Sequence, residues 1–181
     1  SVIEPSFTQT SSIPSNNATE QSVFSNPSVT FSHALYKGET FDGIALTTSS
    51  GSVNGTAEIG SRSVIFKPKK PLAANTKYTL SIPANAVKNK WGTPYPSKIN
   101  LVFSTGNLEK LSLKSSLSNK FVKEGTAIQL TTNKSNAAIY YTTDNSTPTE
   151  KSKRYTGAIT IQKDTELRAI AMLEGYENSD E

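Results

Sequence analysis

Cysteine is absent from this chain, which rules out a disulfide framework and thiol chemistry. Export is not argued against, because oxidising compartments permit disulfides without requiring them. There is one histidine, His33, and neither a catalytic triad nor a two-histidine metal site can be assembled from it. No apolar run approaches the ~20 residues that span a bilayer, and no signal-peptide core is present. The first residue is Ser1 and the only methionine is Met172, as in a cleaved precursor or a trimmed chain, so any export signal is expected upstream. A dense basic stripe is also missing. The lysines scatter, apart from Lys67, Lys69 and Lys70 around Pro68, and a solvated basic face is expected rather than a nucleic-acid partner. No segment sustains a helical period over any length. The best helix candidate is residues 84–90, ANAVKNK, a turn or two between Pro83 and Gly92.

What the sequence does contain is alternation. Seven Phe, seven Tyr and many Val, Ile and Leu recur in short runs, separated by Thr, Ser, Asn, Gly and Pro. Residues 29–35 (VTFSHAL), 44–47 (IALT), 63–66 (SVIF), 77–82 (KYTLSI) and 99–104 (INLVFS) place apolar side chains at every second position. That is what a half-buried strand requires. Residues 1–20 are polar and read as a linker or an irregular first strand. The pattern resets near Gly106. Residues 110–113, 127–131, 137–143, 158–161 and 165–171 form a second set, with Gly125, Gly157 and Gly175 at the reversals. The expectation is an all-β chain of two small Ig-like β-sandwich domains in tandem, residues 1–106 and 107–181. The second is small for an independent core, and support from its neighbour is expected. The charge is uneven: residues 1–106 hold 9 Lys/Arg against 5 Asp/Glu, whereas residues 107–181 hold 10 of each.

Two stretches go further than alternation. VIFKPKKPLAANTKYTLSIP (64–83) reads as a strand, a corner at Leu72 and a strand carrying Tyr78. With IPSNNAT (13–19), VTFSHAL, AVKNKWGTPY (86–95) and LVFSTG (101–106), it resembles the bacterial Ig-like domain of surface-layer and other cell-envelope proteins, over residues 5–105. Asn89 and Thr93 stand where that family usually has Asp and Asn, which weakens an ion-binding reading of the turn. In the second block, AAIYYTTDNSTPT (137–149) and YTGAITIQKDTELRAIAMLEGYENS (155–179) are similar to the small C-terminal domain of chitobiases and β-hexosaminidases, over residues 118–181. Asn145 replaces a common Gly there, and Asn tolerates the left-handed backbone. The family usually continues into a final strand, so the last strand is expected to be cut short at Glu181 or continued in a larger parent.

Candidate chemistry is sparse. His33 alternates with Phe31 and Leu35, and a structural role is expected. No pair among the 15 Asp/Glu is singled out by spacing as a glycosidase pair would be. Asp144 reads as the acceptor of an Asx-turn, since a calcium site needs about six to eight oxygens. No catalytic residue, metal ligand or cofactor site is assigned. The remaining candidates are aromatic, because sugar C–H faces pack on rings. Trp91, with Tyr95 close by in a turn, either contacts a ligand or caps the sandwich. Tyr140 and Tyr141 are adjacent in a strand, so one points inward and the other outward. Tyr155 and Tyr176 are read as core or corner residues.

The resemblances imply non-catalytic spacer or accessory modules of a larger secreted or cell-surface bacterial protein, with the neighbouring domains of that parent as partners. One alternative is a carbohydrate-binding or adhesin module using Trp91, Tyr95, Tyr140 or Tyr141 on a polysaccharide or cell-wall glycan. Another is an inactive fragment of a glycoside hydrolase.

Overall fold

The computed structural model describes residues 3–117 and 121–181. The chain forms two compact units, Ser1–Asn107 and Leu108–Glu181.

In the first unit the strands are β1 (Gln9–Ile13), β2 (Ala18–Gln21), β3 (Ser28–Phe31), β4 (Tyr36–Lys37), β5 (Ala45–Thr48), β6 (Gly51–Ser52), β7 (Gly55–Gly60), β8 (Ser63–Pro68), β9 (Lys77–Ile82), β10 (Val87–Lys88) and β11 (Ile99–Thr105). One sheet has the order β1-β3-β8-β7 and the other β2-β11-β9-β5-β6, while β4 and β10 form a separate ribbon. Alternation decides which side chains go inward. Val29, Phe31, Val64 and Phe66 are buried from the first sheet, and Leu46, Tyr78, Leu80, Ile82, Leu101 and Phe103 from the second. Register then aligns them: Leu46 lies opposite Leu80, which lies opposite Leu101, so three strands contribute one apolar row. Tyr78 and Phe103, also paired across β9 and β11, stack at 5.6 Å.

The corner at Leu72 is held by polar ties. Leu72 N–H donates to Val23 O at 2.7 Å, Ala73 N–H donates to the Tyr78 hydroxyl at 2.8 Å, and the Thr105 hydroxyl donates to Ala73 O at 2.6 Å. A buried backbone donor left without such a partner costs about 1–3 kcal/mol. The ring of Tyr78 thus belongs to the core while its hydroxyl fixes the corner.

Two local expectations are corrected. Residues 1–20, read as a linker or an irregular first strand, instead supply two strands, β1 and, with Gln21, β2, which join different sheets across a cis Ile13–Pro14 peptide. Their side chains are polar and mostly exposed, so sheet hydrogen bonds rather than an apolar stripe specify them. Residues 84–90 are not helical. Residues 83–86 form a turn closed by Ala86 N–H donating to Pro83 O at 3.2 Å, with Asn85 at φ 65, and the chain is extended only at Val87–Lys88, where Val87 is buried and Lys88 faces out. The helical element among the described residues is the single 3-10 turn Phe41–Gly43.

In the second unit the strands are β12 (Glu109–Lys110), β13 (Leu113–Ser115), β14 (Ala127–Ile128), β15 (Leu130–Thr132), β16 (Ala138–Thr142), β17 (Lys153–Arg154), β18 (Ile159–Thr160), β19 (Arg168–Met172) and β20 (Tyr176–Glu177). They pair as β17-β16-β19 and as three two-stranded ladders, β12-β20, β13-β15 and β14-β18. This unit has a core of its own, built from Leu111, Ile128, Leu130, Ile139, Tyr141, Ile159, Ile161, Ala169 and Ala171. Large faces small across β16 and β19, with Ile139 opposite Ala171 and Tyr141 opposite Ala169. Tyr155 supplies a second tyrosine tie, accepting from Leu130 N–H at 3.1 Å. The buried Ser179 hydroxyl accepts from Ala171 N–H at 2.8 Å.

The 144–146 turn follows the Asx geometry. Asp144 Oδ1 accepts from Ser146 N–H at 3.1 Å and from the Ser146 hydroxyl at 2.5 Å. Asn145 takes the left-handed backbone at φ 64, and its carbonyl accepts from Arg168 at 2.9 Å. The Ser146 hydroxyl bond, aided by its N–H, lowers the Asp144 pKa below the usual carboxylate value. A depressed folded-state pKa means that the tie is intact above the ordinary carboxylate range and is lost as pH falls through the folded pKa. The protection factor of the Ser146 amide, its observed exchange rate set against the intrinsic rate at the same pH, is therefore expected to fall on acidification below that range, and in Asp144→Asn this loss of protection should disappear. An Asn variant that kept the same acid step would show that another group controls the turn.

Candidate functional site

The sequence candidates separate into two places. Tyr141 is 8% exposed and belongs to the core of the second unit, with Lys153 Nζ 5.7 Å from its ring centre. Tyr140 points to the other face of β16 and is half-buried. Tyr95 and Trp91 lie together in the first unit, in a loop that returns along β10.

That loop is built on the β4–β10 ribbon. Lys88 lies opposite Tyr36 in the antiparallel register, and a further bridge pairs Lys88 with Pro94. Asn89 organises the tip between them. Its N–H donates to Thr93 O at 3.0 Å, and its Oδ1 accepts from Trp91 N–H at 3.1 Å and from Thr93 N–H at 3.0 Å. Its Nδ2 donates to the Glu4 carboxylate, which also accepts from the Thr93 hydroxyl at 3.1 Å. Asn89 is 1% exposed, so each of these groups needs its partner. The residue type follows from this network: an amide accepts and donates together, whereas an Asp would set a second carboxylate against Glu4. Gly92, at φ 83, closes the turn in the left-handed region that glycine adopts without strain.

An aromatic series runs from the core to this tip. Buried Phe31 meets Tyr95 edge-to-face at 5.1 Å, Tyr95 meets Phe7 at 5.5 Å, Phe7 meets His33 at 5.5 Å, and His33 meets Trp91 at 5.6 Å. His33 thus acts as a packing residue, its Nδ1 sharing a 2.9 Å hydrogen bond with the Ser32 hydroxyl. Tyr95 is an inner member of the series. Trp91 is the outer one, 47% exposed, with Lys90 Nζ 4.5 Å from its ring centre.

Three contributors were not legible as site residues in the sequence. Glu4 and Phe7 come from the segment read as linker and reach the tip from the far end of the first unit's sequence. Tyr36 is 52% exposed and lies opposite Lys88, a neighbour that only the ribbon register reveals.

The second unit carries an open groove of about 960 Å³, with Leu113, Leu117, Phe121, Ile161 and Leu167 among its lining and Arg168 at its rim. Arg168 is engaged there, in an ion pair with Glu181 and a bond to Asn145 O. Among the described residues no group of three or more His, Cys, Asp or Glu is placed to hold a metal ion, and no helix is long and apolar enough to cross a membrane.

No curated protein matches the chain in sequence. Among solved structures, the N-terminal part of the bacterial S-layer protein SbsC aligns over 96% of this chain and 43% of its own, at 12% identity and a TM-score of 0.42. A longer SbsC fragment, residues 31–844, aligns over 91% of this chain and 32% of its own, at 12% identity and a TM-score of 0.41. The present chain therefore spans less than half the length of either. Murine CEACAM1b aligns at 15% identity with a TM-score of 0.28, covering 97% of this chain and 96% of its own. Family comparison is more informative. Residues 117–181 match the chitobiase/beta-hexosaminidase C-terminal domain. Residues 3–105, more than half of the chain, match the bacterial Ig-like domain. The two matches fall on the two separately cored units: residues 117–181 of the second are similar to the chitobiase/beta-hexosaminidase C-terminal domain, and through its first unit the chain belongs to the bacterial Ig-like domain family.

Proposed function

We propose that both units are non-catalytic accessory modules of a larger secreted or cell-surface bacterial protein and act by position, holding neighbouring domains of that parent away from the envelope. The observation that carries this reading is that each unit closes around its own core with its own corner ties, while the polar groups of the tip and turns are spent on hydrogen bonds within the fold. Modules built in this way resist deformation without offering a reactive group. Pulling the chain end to end in single-molecule force spectroscopy should give two discrete unfolding events, one for each unit. A smooth extension with no force peak would refute the spacer role. Turnover of chromogenic N-acetylhexosaminides by the purified chain would refute the non-catalytic assignment.

A second reading, carbohydrate binding, is favoured by one observation. Trp91 is exposed at a tip whose backbone is fixed by Asn89, and a ring held in that way is a preorganised contact surface.

A further inference from the structure

Three large aromatics of the first unit are exposed, Phe24, Tyr36 and Trp91, and two of them lie close together. Tyr36 and Trp91 both belong to the β4–β10 ribbon and its tip. Directly opposed residues of an antiparallel pair share a face, so Tyr36 and Lys88 stand side by side, and the bridge to Pro94 extends that row by one position. Val87, the alternate residue, is fully buried, which fixes Lys88 outward. Beyond Lys88 the chain turns through Lys90 and Trp91. Tyr36 and Lys88 are paired across the ribbon, and Lys90 and Trp91 follow within three residues of Lys88, so two exposed rings and two lysines cluster at the ribbon and its tip, in the unit that carries the excess of positive charge.

The chemistry of this piece is specific. The acid nearest the tip, Glu4, is engaged by Asn89 and Thr93. The Lys90 ammonium lies over the Trp91 ring, a weak contact at an exposed site. A sugar ring stacking on Trp91 displaces it, and the freed ammonium is then beside the ligand. A neutral sugar would use the rings alone and leave Lys88 and Lys90 to solvent, whereas a sugar bearing a carboxylate uses the rings and the charges together. Two lysines are too few for a nucleic-acid track, which takes a basic groove along the backbone. We propose that the Tyr36–Lys88–Trp91 face binds an acidic polysaccharide, its sugar faces on Tyr36 and Trp91 and its carboxylates on Lys88 and Lys90. The proposal rests on the carbohydrate-binding reading and narrows it to one ligand class.

Affinity electrophoresis of the whole chain tests it, with polygalacturonate, dextran, chitin oligosaccharides, poly-glutamate and oligo-dT as probes. Polygalacturonate should retard the chain, and rising salt should weaken the effect. Trp91→Ala and the double variant Lys88→Ala/Lys90→Ala should each lower the affinity about tenfold, the loss of one good contact, and Tyr36→Ala should lower it severalfold. Lys69→Ala, outside the face, should leave it unchanged. These side chains are exposed, and equal denaturation midpoints for Tyr36→Ala and the lysine variants confirm that folding is intact. Equal retardation by dextran or chitin oligosaccharides would overturn the acidic class while leaving carbohydrate binding standing. Equal retardation by poly-glutamate or oligo-dT would reduce the face to a charge patch and overturn the proposal. Binding to none of the glycans would remove both the proposal and the reading beneath it, without touching the spacer role.

Discussion

Gly38→Ala is expected to destabilise the first unit by about 3 kcal/mol or more, the upper range for overpacking. A Cβ at Gly38 would lie 2.1 Å from Asn85 O and 3.0 Å from the Ala86 carbonyl carbon. Both are backbone atoms, so no rotamer change relieves the clash. The segment they belong to is held from both sides. Gly38 N–H donates to Ala86 O at 2.9 Å, the Thr40 hydroxyl donates to Ala84 O at 2.6 Å, and Asn85 N–H donates to Tyr95 O at 2.8 Å. Moving β4 off β10 therefore breaks ties on the far side of the loop as well. Trp91, the one tryptophan in the chain, sits at the end of that loop and supplies the readout. The variant should show a lower denaturation midpoint and an altered emission spectrum in the folded state. Wild-type values for both would mean that the two backbones separate freely and that the ribbon does not hold the tip.

Leu80→Ala is expected to cost about 3–5 kcal/mol, the range for emptying a fully buried leucine site. Leu80 is 0% exposed and lies between Leu46 and Leu101 in the apolar row across β5, β9 and β11. Its neighbours on the two flanking strands are fixed by register, so the cavity cannot close by moving one side chain. Urea unfolding followed by Trp91 emission reports on the unit that contains both residues. A loss below about 1 kcal/mol, as for a site that collapses or admits water, would show that the two sheets pack more loosely than this row implies.

The core and the site differ in how far local sequence reaches. Tyr78, Leu80 and Ile82 alternate within six residues, and that spacing alone assigns them to one face. The same logic requires one of Tyr140 and Tyr141 to point inward, and the structure makes it Tyr141, with Tyr140 on the opposite face. The Asp144 turn was equally local, since its acceptor and donors are two residues apart. By contrast, β1 and β2 carry no apolar stripe, and their existence depends on partners in β3 and β11. Residues 84–90 resembled a helical turn because Ala and Lys favour helices, but burial of Ala86 and Val87 against the sandwich overrides propensity. The tip of the ribbon is non-local throughout. Trp91 announced itself as an aromatic in a turn, but His33 against its ring, Glu4 on Asn89 and Thr93, Phe7 on Tyr95 and Tyr36 opposite Lys88 are brought to the ribbon and its tip by the fold.

One pairing in the first unit has a mechanical meaning. β2, near the start of the unit, runs parallel to β11, its last strand, with Ala18 beside Phe103 and Gln21 beside Thr105, and Gly106 N–H donates to Gln21 O at 2.9 Å. Tension entering before β2 and leaving after β11 slides these strands lengthwise past each other, so their hydrogen bonds share the load and must yield together. Antiparallel strands pulled from the same end would instead unzip, each bond breaking in its turn. The strand order thus sets the first unit to bear a stretching force in shear rather than by peeling.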